Sequence, residues 1–456
     1  MHNRSSKKTG WRRPSRIITV SLALVLVIVL ALAFFRGESM SIRAIERPTY
    51  PENGNFESSE DLRRLSDYVV DAAYQEAFVD FTIRSAAQII GGAGSQNQIY
   101  SPLSLWFALT LCADSTSGNT SKEILEVLSL GQFQSEWVGQ QSTMLFKRLF
   151  FENDVGRLKI LNSLWLDNRI PFKQDYLKKV AETYFVESNR VNFNNASVYR
   201  IISYYVERRT GSKLTDRLQS FFQPLAGNDL EVGHATGVTT ALALVNTVSF
   251  ADEWTERFNE TLTTQGRFSL PDGSTATPLF MRNKYANHVY IAAAGFKASG
   301  LSLRNGSSMI FVLPDEGETP QSVLANAGWM EQIISQKDQQ TGEVVFTIPK
   351  FDIESEIWNL SEPLQEIGIK DAFDPNKADF SALSDMKPLW LGRIGQSIRV
   401  KIDERGCTAD AMLGIRLSAA SLVSGQCEMI LDRPFIFIIL GQDQFPLFIG
   451  MVNDPS

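Results

Sequence analysis

The sequence predicts an α+β fold, because patterns of both helices and strands recur along the chain. Helical spacing is clear in residues 74–81, where the aromatic side chains fall on one face. Strands are indicated by short apolar runs rich in β-branched residues, of which residues 244–250 are the clearest. In residues 406–418, small or apolar side chains alternate with mostly polar ones, as in a strand, and a stretch of small, flexible residues follows. We expect the rest of the chain to be organised around this segment.

The other elements follow in order. Ser101-Pro102 before an apolar run indicates a strand that passes into a helix, with Ser101 as a possible cap. The apolar residues 161–166 indicate a buried strand. The remaining predicted elements are helices over 172–184 and 199–209, a hairpin turn at 271–273, strands over 309–314 and 344–348, and a buried hairpin around Pro446.

The composition is that of an ordinary globular protein. The chain has 456 residues, of which 44% are hydrophobic and 21% charged, and by length alone it would hold two or three domains. Its net charge of −7 argues against a nucleic-acid partner. The three cysteines form no CxxC pair and no even-numbered framework, so neither a zinc site nor a disulfide scaffold is indicated.

The N-terminus indicates export. Residues 1–16 are basic and are expected to stay in the cytoplasm, and the apolar residues 17–35 are long enough to cross a bilayer. Both a retained transmembrane anchor and a cleaved signal peptide are compatible with this segment, because Ala31 and Ala33 have the small-residue spacing of a cleavage site. Residues 36–64 are expected to be a linker, and residues 65–456 the folded domain.

Residues 407–417 have two different faces. Alternate residues from Cys407 to Leu417 are small or apolar, while those between them are mostly polar. Successive side chains of a strand point to opposite faces of a sheet, so this pattern is typical of a half-buried strand. Small and flexible residues follow at 419–425 and indicate a loop. A loop with a strand's pattern can be held outside a sheet and later be admitted to it.

Several motifs in unbroken order resemble the serpin family of protease inhibitors. They lie at residues 97–104, 118–120, 244–281, 349–355, 364–381, 403–406 and 432–455. The resemblance covers residues 66 to 456. It implies a serpin fold, with a large mixed central β-sheet, two further sheets, about eight or nine helices and an exposed reactive loop at about 404–431. The basic and then apolar N-terminus suits an exported, bacterial-type member.

The resemblance implies an inhibitor of serine endopeptidases that acts as a suicide substrate. Counting about sixteen residues from Glu404, as in the family, puts the reactive bond between Ala420 and Ser421, with Ala419 or Leu422 as alternatives. A small residue at this bond favours an elastase-like protease. The protein would then be a monomer, secreted or held at the cell surface, that binds the membrane only through residues 17–35. The alternative is a non-inhibitory serpin that acts as a binding protein or as a protease substrate.

The resemblance also assigns roles to particular side chains. The hinge of the reactive loop comprises Glu404, Gly406, Cys407, Ala409 and Ala411. The region that controls opening of the sheet comprises Ser101, Ser104, Ser203, Gln396 and Lys350.

Some of these side chains look paired, and others differ from the residues that are usual in the family. Lys350 and Glu404 look like a salt bridge where the loop leaves the sheet. Ser203 and Gln396 replace an Asn and a His that are usual in the family, and a Gln can donate and accept as a His does. Cys407 and Cys427 flank the loop, and their oxidation to a disulfide is a further hypothesis.

No catalytic constellation is found, and the chain is not expected to be an enzyme or to hold a metal or cofactor. The three histidines are His2, His234 and His288, and none belongs to a metalloprotease or nucleotide-binding motif. The sequence spacing does not exclude Cys112 as a nucleophile with His234 or His288 as its base. In an apolar helix, a lone cysteine is better interpreted as a small buried hydrophobic residue.

Overall fold

The computed structural model describes residues 43–51, 66–92, 94–193, 195, 198–210, 242–357, 359–392, 394–407 and 425–456. Residues Ala44–Ser456 form one compact unit. The predicted segments 1–16 and 17–35 lie outside the described residues. Among the helices that are described, none has the length and apolar character needed to cross a membrane.

Nine α-helices lie in the described ranges. They are α1 (Ala72–Ile89), α2 (Pro102–Ser115), α3 (Gly118–Val127), α4 (Ser135–Leu149), α5 (Gln174–Thr183), α6 (Val198–Thr210), α7 (Pro320–Ala325), α8 (Ala327–Ile334) and α9 (Ser361–Glu366). Helix α2 is buried on all sides, which explains why its sequence is apolar throughout rather than along one stripe. Its first turn is stabilised by the Ser101 side chain, which accepts a hydrogen bond from the Ser104 backbone N–H, and by Pro102 at the first helical position.

Nineteen strands are found in the same ranges. In chain order they are β1 (Arg43–Glu46), β2 (Gln98–Tyr100), β3 (Phe151–Glu152), β4 (Arg157–Asp167), β5 (Val186–Val191), β6 (Leu242–Glu253), β7 (Thr264–Gln265), β8 (Phe268–Ser269), β9 (Thr275–Ala276), β10 (Leu279–Ala293), β11 (Phe296–Ser302), β12 (Ser308–Pro314), β13 (Gln340–Pro349), β14 (Phe351–Ile357), β15 (Gln396–Ile402), β16 (Gly406–Cys407), β17 (Gln426–Ile430), β18 (Phe435–Leu440) and β19 (Pro446–Val452).

These strands form three sheets. The central sheet has the order β1-β5-β4-β6-β16-β15-β14, with β3 beside β4. It is mixed, because β4 is parallel to β5 and antiparallel to β6. The second sheet has the order β17-β13-β10-β11-β12-β18-β19-β2, with β7 beside β10, and the third is the hairpin β8-β9. The predicted α+β class with a large mixed central sheet and two further sheets is therefore confirmed.

Individual elements follow the sequence patterns closely. Strand β4 includes the apolar residues 161–166 and is buried along most of its length, which suits a strand at the middle of a sheet. The predicted turn at 271–273 lies between β8 and β9, where Gly273 has a φ of +83° that favours glycine. Strands β18 and β19 form the predicted buried antiparallel hairpin, and every residue of both is buried.

Part of the segment 36–64, which was expected to be a linker, has regular structure. Residues 43–46 form strand β1, which pairs with β5 at the edge of the central sheet. Tyr50 stacks on Phe150 with ring centroids 5.6 Å apart. The composition of this segment, which mixes prolines with charges, did not indicate either contact, because one apolar side chain every few residues gives no periodicity. Ile45 and Tyr50 nevertheless each pack on an apolar core.

Candidate functional site

The loop begins inside the central sheet. Gly406 pairs with Glu253 of β6, and Cys407 pairs with both Asp252 of β6 and Ile402 of β15. The two-residue strand β16 therefore lies between β6 and β15, and in the described part of the sheet these two strands are joined through it. Glycine is required at position 406, since a Cβ atom there would come within 2.3 Å of the Asp252 carbonyl oxygen.

Glu404 and Lys350 form an ion pair just before β16. The Lys350 Nζ atom donates to Glu404 Oε2 at 2.7 Å, and Thr263 Oγ1 donates to Glu404 Oε1 at 2.8 Å. Glu404 is 7% exposed, so the pair is not the solvated surface pair that a sequence alone would suggest. Burial favours a higher pKa for Glu404, but the hydrogen bonds, led by that of Lys350, outweigh it and hold the pKa below its ordinary value.

Trp254 fixes the turn that carries Glu404. Its indole N–H donates to the Asp403 carbonyl at 2.9 Å, and its backbone N–H donates to the Arg405 carbonyl at 2.9 Å. The Phe258 backbone N–H donates to the Glu404 carbonyl at 3.0 Å. The carbonyls of residues 403–405 therefore each accept a hydrogen bond from the segment that follows β6.

Two further carboxyl groups are buried against β16. Asp252 accepts hydrogen bonds from the side chain and the backbone N–H of Asn305 at 2.9 and 3.1 Å. Burial nevertheless raises the pKa of Asp252 to about 7. Glu253 is paired with Arg257 at 2.9 Å and Arg304 at 3.3 Å. These groups lie in register with Gly406 and Cys407, so the loop's first strand residues contact a strongly polar part of the sheet.

At the start of β15 in the central sheet, the Gln396 side chain is hydrogen-bonded to Ser101, which precedes helix α2. Its Oε1 accepts from the Ser101 backbone N–H at 3.1 Å, and its Nε2 donates to the Ser101 carbonyl at 2.9 Å. The Ser101 hydroxyl donates to the Leu447 carbonyl of β19 at 2.8 Å. The structure therefore joins two predicted site residues that are 295 positions apart in the sequence, and it links the central sheet to the second sheet through them.

A chain of side chains continues from α2 across the central sheet. The Ser104 hydroxyl donates to Asn246 Oδ1, and Asn246 Nδ2 donates to Asn162 Oδ1. Asn162 Nδ2 donates in turn to the Tyr184 carbonyl at 2.7 Å. Sequence reasoning missed both asparagines. The available signal was an amide in the middle of each of two apolar strands, because a buried amide requires partners.

The other predicted site residues are placed differently or lie beyond what is described. Ser203 is half-buried on helix α6, which packs on the central sheet through a T-shaped contact between Tyr205 and Trp165. Ala409 and Ala411 of the predicted hinge and the predicted reactive bond Ala420–Ser421 lie outside the described residues.

All three cysteines are buried and are present as thiols rather than as disulfides. Cys407 lies in the central sheet and Cys427 in β17 of the second sheet, and burial raises the pKa of both thiols. Burial also raises the pKa of the Cys112 thiol, to about 12, whereas an activated nucleophile has a lowered one. The interpretation of Cys112 as a core residue fits this position. In the described ranges, no group of three His, Cys, Asp or Glu side chains has the geometry to bind a metal ion.

Comparison with known proteins identifies the family. A family model described as Serpin (serine protease inhibitor) matches residues 76–455, which is most of the chain. This chain is a serpin. Serine protease inhibition in general is accordingly the activity that its family and its curated relatives support.

The relatives and solved structures agree with this assignment. The chain is 28% identical to plasminogen activator inhibitor 1 of Sus scrofa over 386 residues, which cover 82% of this chain and 91% of that protein. It is 25% identical to alpha-1-antiproteinase of Rattus norvegicus over 389 residues, covering 83% and 88%. Its fold is similar to that of tengpin, a thermophilic serpin in the native state, with a TM-score of 0.73 at 23% identity and coverage of 91% and 99%. It is also similar to human thyroxine-binding globulin, with a TM-score of 0.72 at 23% identity and coverage of 84% and 98%.

Proposed function

We propose that this serpin inhibits an elastase-like serine endopeptidase as a suicide substrate. In this proposal the protease cleaves the loop near Ala420–Ser421, the freed loop inserts into the central sheet, and the protease remains covalently attached. The observation that supports it best is the position of β16. Gly406 and Cys407 of the predicted hinge already occupy a strand position between β6 and β15, so further residues can add to the same strand in register.

The chemistry requires only the protease's own catalytic groups. The protease serine attacks the carbonyl carbon of Ala420, the bond to the nitrogen of Ser421 breaks, and that nitrogen leaves as an amine after accepting a proton from the protease histidine. The product is an ester between Ala420 and the protease. Water would normally hydrolyse this ester. Loop insertion that is faster than hydrolysis moves the attached protease away and distorts its active site, so that the ester persists.

The driving force is the new strand. Each inserted residue gains backbone hydrogen bonds from β6 and β15, and the apolar alternate residues from Ala409 to Leu417 become buried. The segment from Gly406 to Leu417 contains no proline, which would interrupt the ladder. Because insertion lowers the free energy, the uncut form persists through a kinetic barrier rather than through equilibrium stability.

The selectivity follows from Ala420. A small side chain suits the shallow specificity pocket of elastase-type proteases better than the acidic or wide pockets of other types. Arg416 is a site for trypsin-like proteases, but cleavage there leaves a shorter inserting strand and should yield a cut protein without a complex. We further propose that residues 17–35 export the domain, as an anchor or as a signal peptide, and that it acts as a monomer outside the cytoplasm.

Incubation of the folded protein with elastase, trypsin and chymotrypsin tests the proposal. We expect elastase to form a complex that survives boiling in detergent. Mass spectrometry should map the start of the released peptide to Ser421, or to a position within two residues of it. Trypsin, which would cut at Arg416, is the internal control for cleavage without trapping. Clean cleavage of the loop by all three proteases would contradict the proposal and favour the non-inhibitory alternative.

A further inference from the structure

Residues 44–51 contact the folded domain at three points, and we call them the N-terminal strap. Strand β1 pairs with the edge strand β5. Arg47 follows β1, and its Nε atom lies 3.9 Å from Oε1 of the buried Glu187 in β5. Tyr50 stacks on Phe150 and lies within 6.5 Å, between ring centroids, of Phe185. The strap therefore covers an edge of the central sheet that would otherwise be open.

The strap also bridges two separate apolar cores. Ile45 packs on the smaller core, which includes Leu164, Leu166 and Val186. Tyr50 packs on the larger core, where Phe146 and Phe185 stack with centroids 4.0 Å apart. One extended segment of eight residues thus spans both cores, with one apolar anchor in each.

Glu187 extends these contacts to helix α6. It is 2% exposed, and its Oε2 accepts a hydrogen bond from the Tyr205 hydroxyl at 2.8 Å. Tyr205 lies on α6 and packs on Trp165 of β4. Through Arg47 and Tyr50, the strap is connected to β5, to the helix above the sheet and to the end of helix α4 at Phe146.

Insertion of a strand requires these elements to shift. If a new strand enters between β6 and β15, the half of the sheet that contains β5, β4 and β6 has to move by about 4.8 Å, one strand spacing. Contacts that tie β5 to α4 resist such a shift unless both elements move together. The strap is a short segment at the edge of the sheet, and segments of this kind open locally at a lower free energy than global unfolding.

We propose that the N-terminal strap is an intramolecular strand that restrains the central sheet, and that its attachment sets the lifetime of the uncut, loop-exposed form. The groove along β5 is accordingly a docking site for an extended peptide with an apolar residue, a basic residue two positions later and an aromatic residue three positions after that. Its occupant is the chain's own Ile45, Arg47 and Tyr50. The docking does not depend on the proposed function, whereas the effect on lifetime rests on it.

The test compares variants of the full chain in detergent micelles. Ile45→Ala with Tyr50→Ala removes both anchors, Tyr50→Phe retains the ring, and Thr49→Ala changes an exposed neighbour. Hydrogen exchange of the β5 amides measures docking. We expect the double variant to exchange about tenfold faster, which corresponds to about 1.4 kcal/mol, and both controls to match the wild type. A synthetic peptide of residues 43–51 should restore protection in the double variant, and a peptide with alanine at positions 45 and 50 should not.

The effect on lifetime is measured separately, without protease. The variants are held at 37 °C, and the fraction that has become heat-resistant is followed by calorimetry. We expect the double variant to convert several-fold faster than the wild type. If the β5 amides of the double variant exchange as slowly as those of the wild type, the strap does not dock through Ile45 and Tyr50. If they exchange faster but the protein becomes heat-resistant at the wild-type rate, the strap docks without restraining the sheet. If no variant becomes heat-resistant while uncut, the restraint is overturned, and calorimetry of protein cut near Ala420 decides separately whether the freed loop inserts.

Discussion

Glu404 is the residue whose environment differs most from what a sequence would suggest. It sits in a loop-forming segment of charged residues, yet it is almost fully buried and holds hydrogen bonds from Lys350 and Thr263. A buried carboxylate that loses its partner is costly, because its desolvation is no longer compensated. The pair therefore stabilises the closed start of the loop more than a surface pair would.

Replacing the lysine tests this at the residue scale. Lys350→Met removes the ammonium group and retains most of the stem, and we expect the midpoint of urea denaturation at pH 7 to fall by an amount equivalent to about 1 to 3 kcal/mol. Because the pKa of Glu404 is below its ordinary value, its contribution is present above about pH 4.3 and is lost as the pH falls through the lowered pKa. The difference between variant and wild type should therefore shrink at pH 3.

The control for Lys350 is an exposed pair on the same sheet. Arg399 of β15 pairs with Asp352 of β14 at 2.7 Å, and both side chains are largely in solvent. Arg399→Met should change the midpoint by less than about 1 kcal/mol, the usual size for surface pairs. Equal effects of the two substitutions would mean that burial of Glu404 has no energetic consequence.

At the scale of elements, the structure depends on a few polar contacts that cross between strands and helix α2. Gln396 of β15 is bound to the Ser101 backbone, while Ser104 of the same helix contacts Asn246 of β6. Helix α2 is thus connected to both strands between which the loop would insert. The proposed insertion requires the two strands to separate, and these contacts would then have to break or rearrange and would resist opening.

Substitution of Gln396 tests how much these contacts contribute to native stability and to the barrier against opening. Gln396→Ala leaves the Ser101 N–H and carbonyl without their side-chain partner, and we expect a loss of about 1 to 3 kcal/mol in native stability. Faster spontaneous conversion to the heat-resistant form should accompany it. Gln396→His keeps one donor and one acceptor, so its denaturation midpoint should lie between those of the alanine variant and the wild type. An alanine variant with wild-type stability and conversion rate would contradict this role.

The reactive loop is the second element with a direct test. If its strand parity is as the sequence predicts, Ala411 enters the buried face and Met412 the opposite one. Ala411→Arg then places a charge in the interior, which should slow insertion and turn the inhibitor into a substrate. Met412→Arg carries the same charge one position along and should still trap the protease. The ratio of covalent complex to cleaved protein measures both, and equal ratios would refute the predicted parity.

At the scale of the whole molecule, the proposed mechanism predicts a large gain in stability upon cleavage. About ten new residues in the sheet, at about 1 kcal/mol for each net hydrogen bond, amount to about 10 kcal/mol. For a domain of this size, we expect the unfolding temperature to rise by about 10 °C or more. Calorimetry of the uncut protein and of protein cut near Ala420 checks this. A cut form with an unchanged unfolding temperature would show that the loop stays outside.

Much of the architecture followed from local patterns. The helix with Tyr74 and Phe78 on its buried face, the strand around residues 161–166 and the turn at Gly273 were all indicated by periodicity or by turn residues. Strand β1 was not, because its pairing depends on an unoccupied edge of β5 rather than on its own composition. An isolated short strand carries too little local signal to be distinguished from a linker.

Some residues of the candidate site could be named from the sequence, and others only from the structure. The sequence named Lys350 with Glu404 and Ser101 with Gln396 only through resemblance to a family, since no local rule joins residues 54 or 295 positions apart. Asn162 and Asn246 were passed over because each is followed by a second polar residue, Ser163 or Thr247, within a strand that is otherwise mostly apolar. Their hydrogen bond became visible only once β4 and β6 were paired in register.

The sequence by itself determined the family, the types of most elements and the two-faced pattern of the loop, because these depend on side-chain order over short stretches. Tertiary structure alone decided the burial of Glu404, the polar chain from Gln396 to Tyr184 and the docking of the N-terminal strap. Those features arise where strands and helices distant in sequence meet. Their energies depend on how completely each contact excludes water, which the order of residues along the chain does not encode.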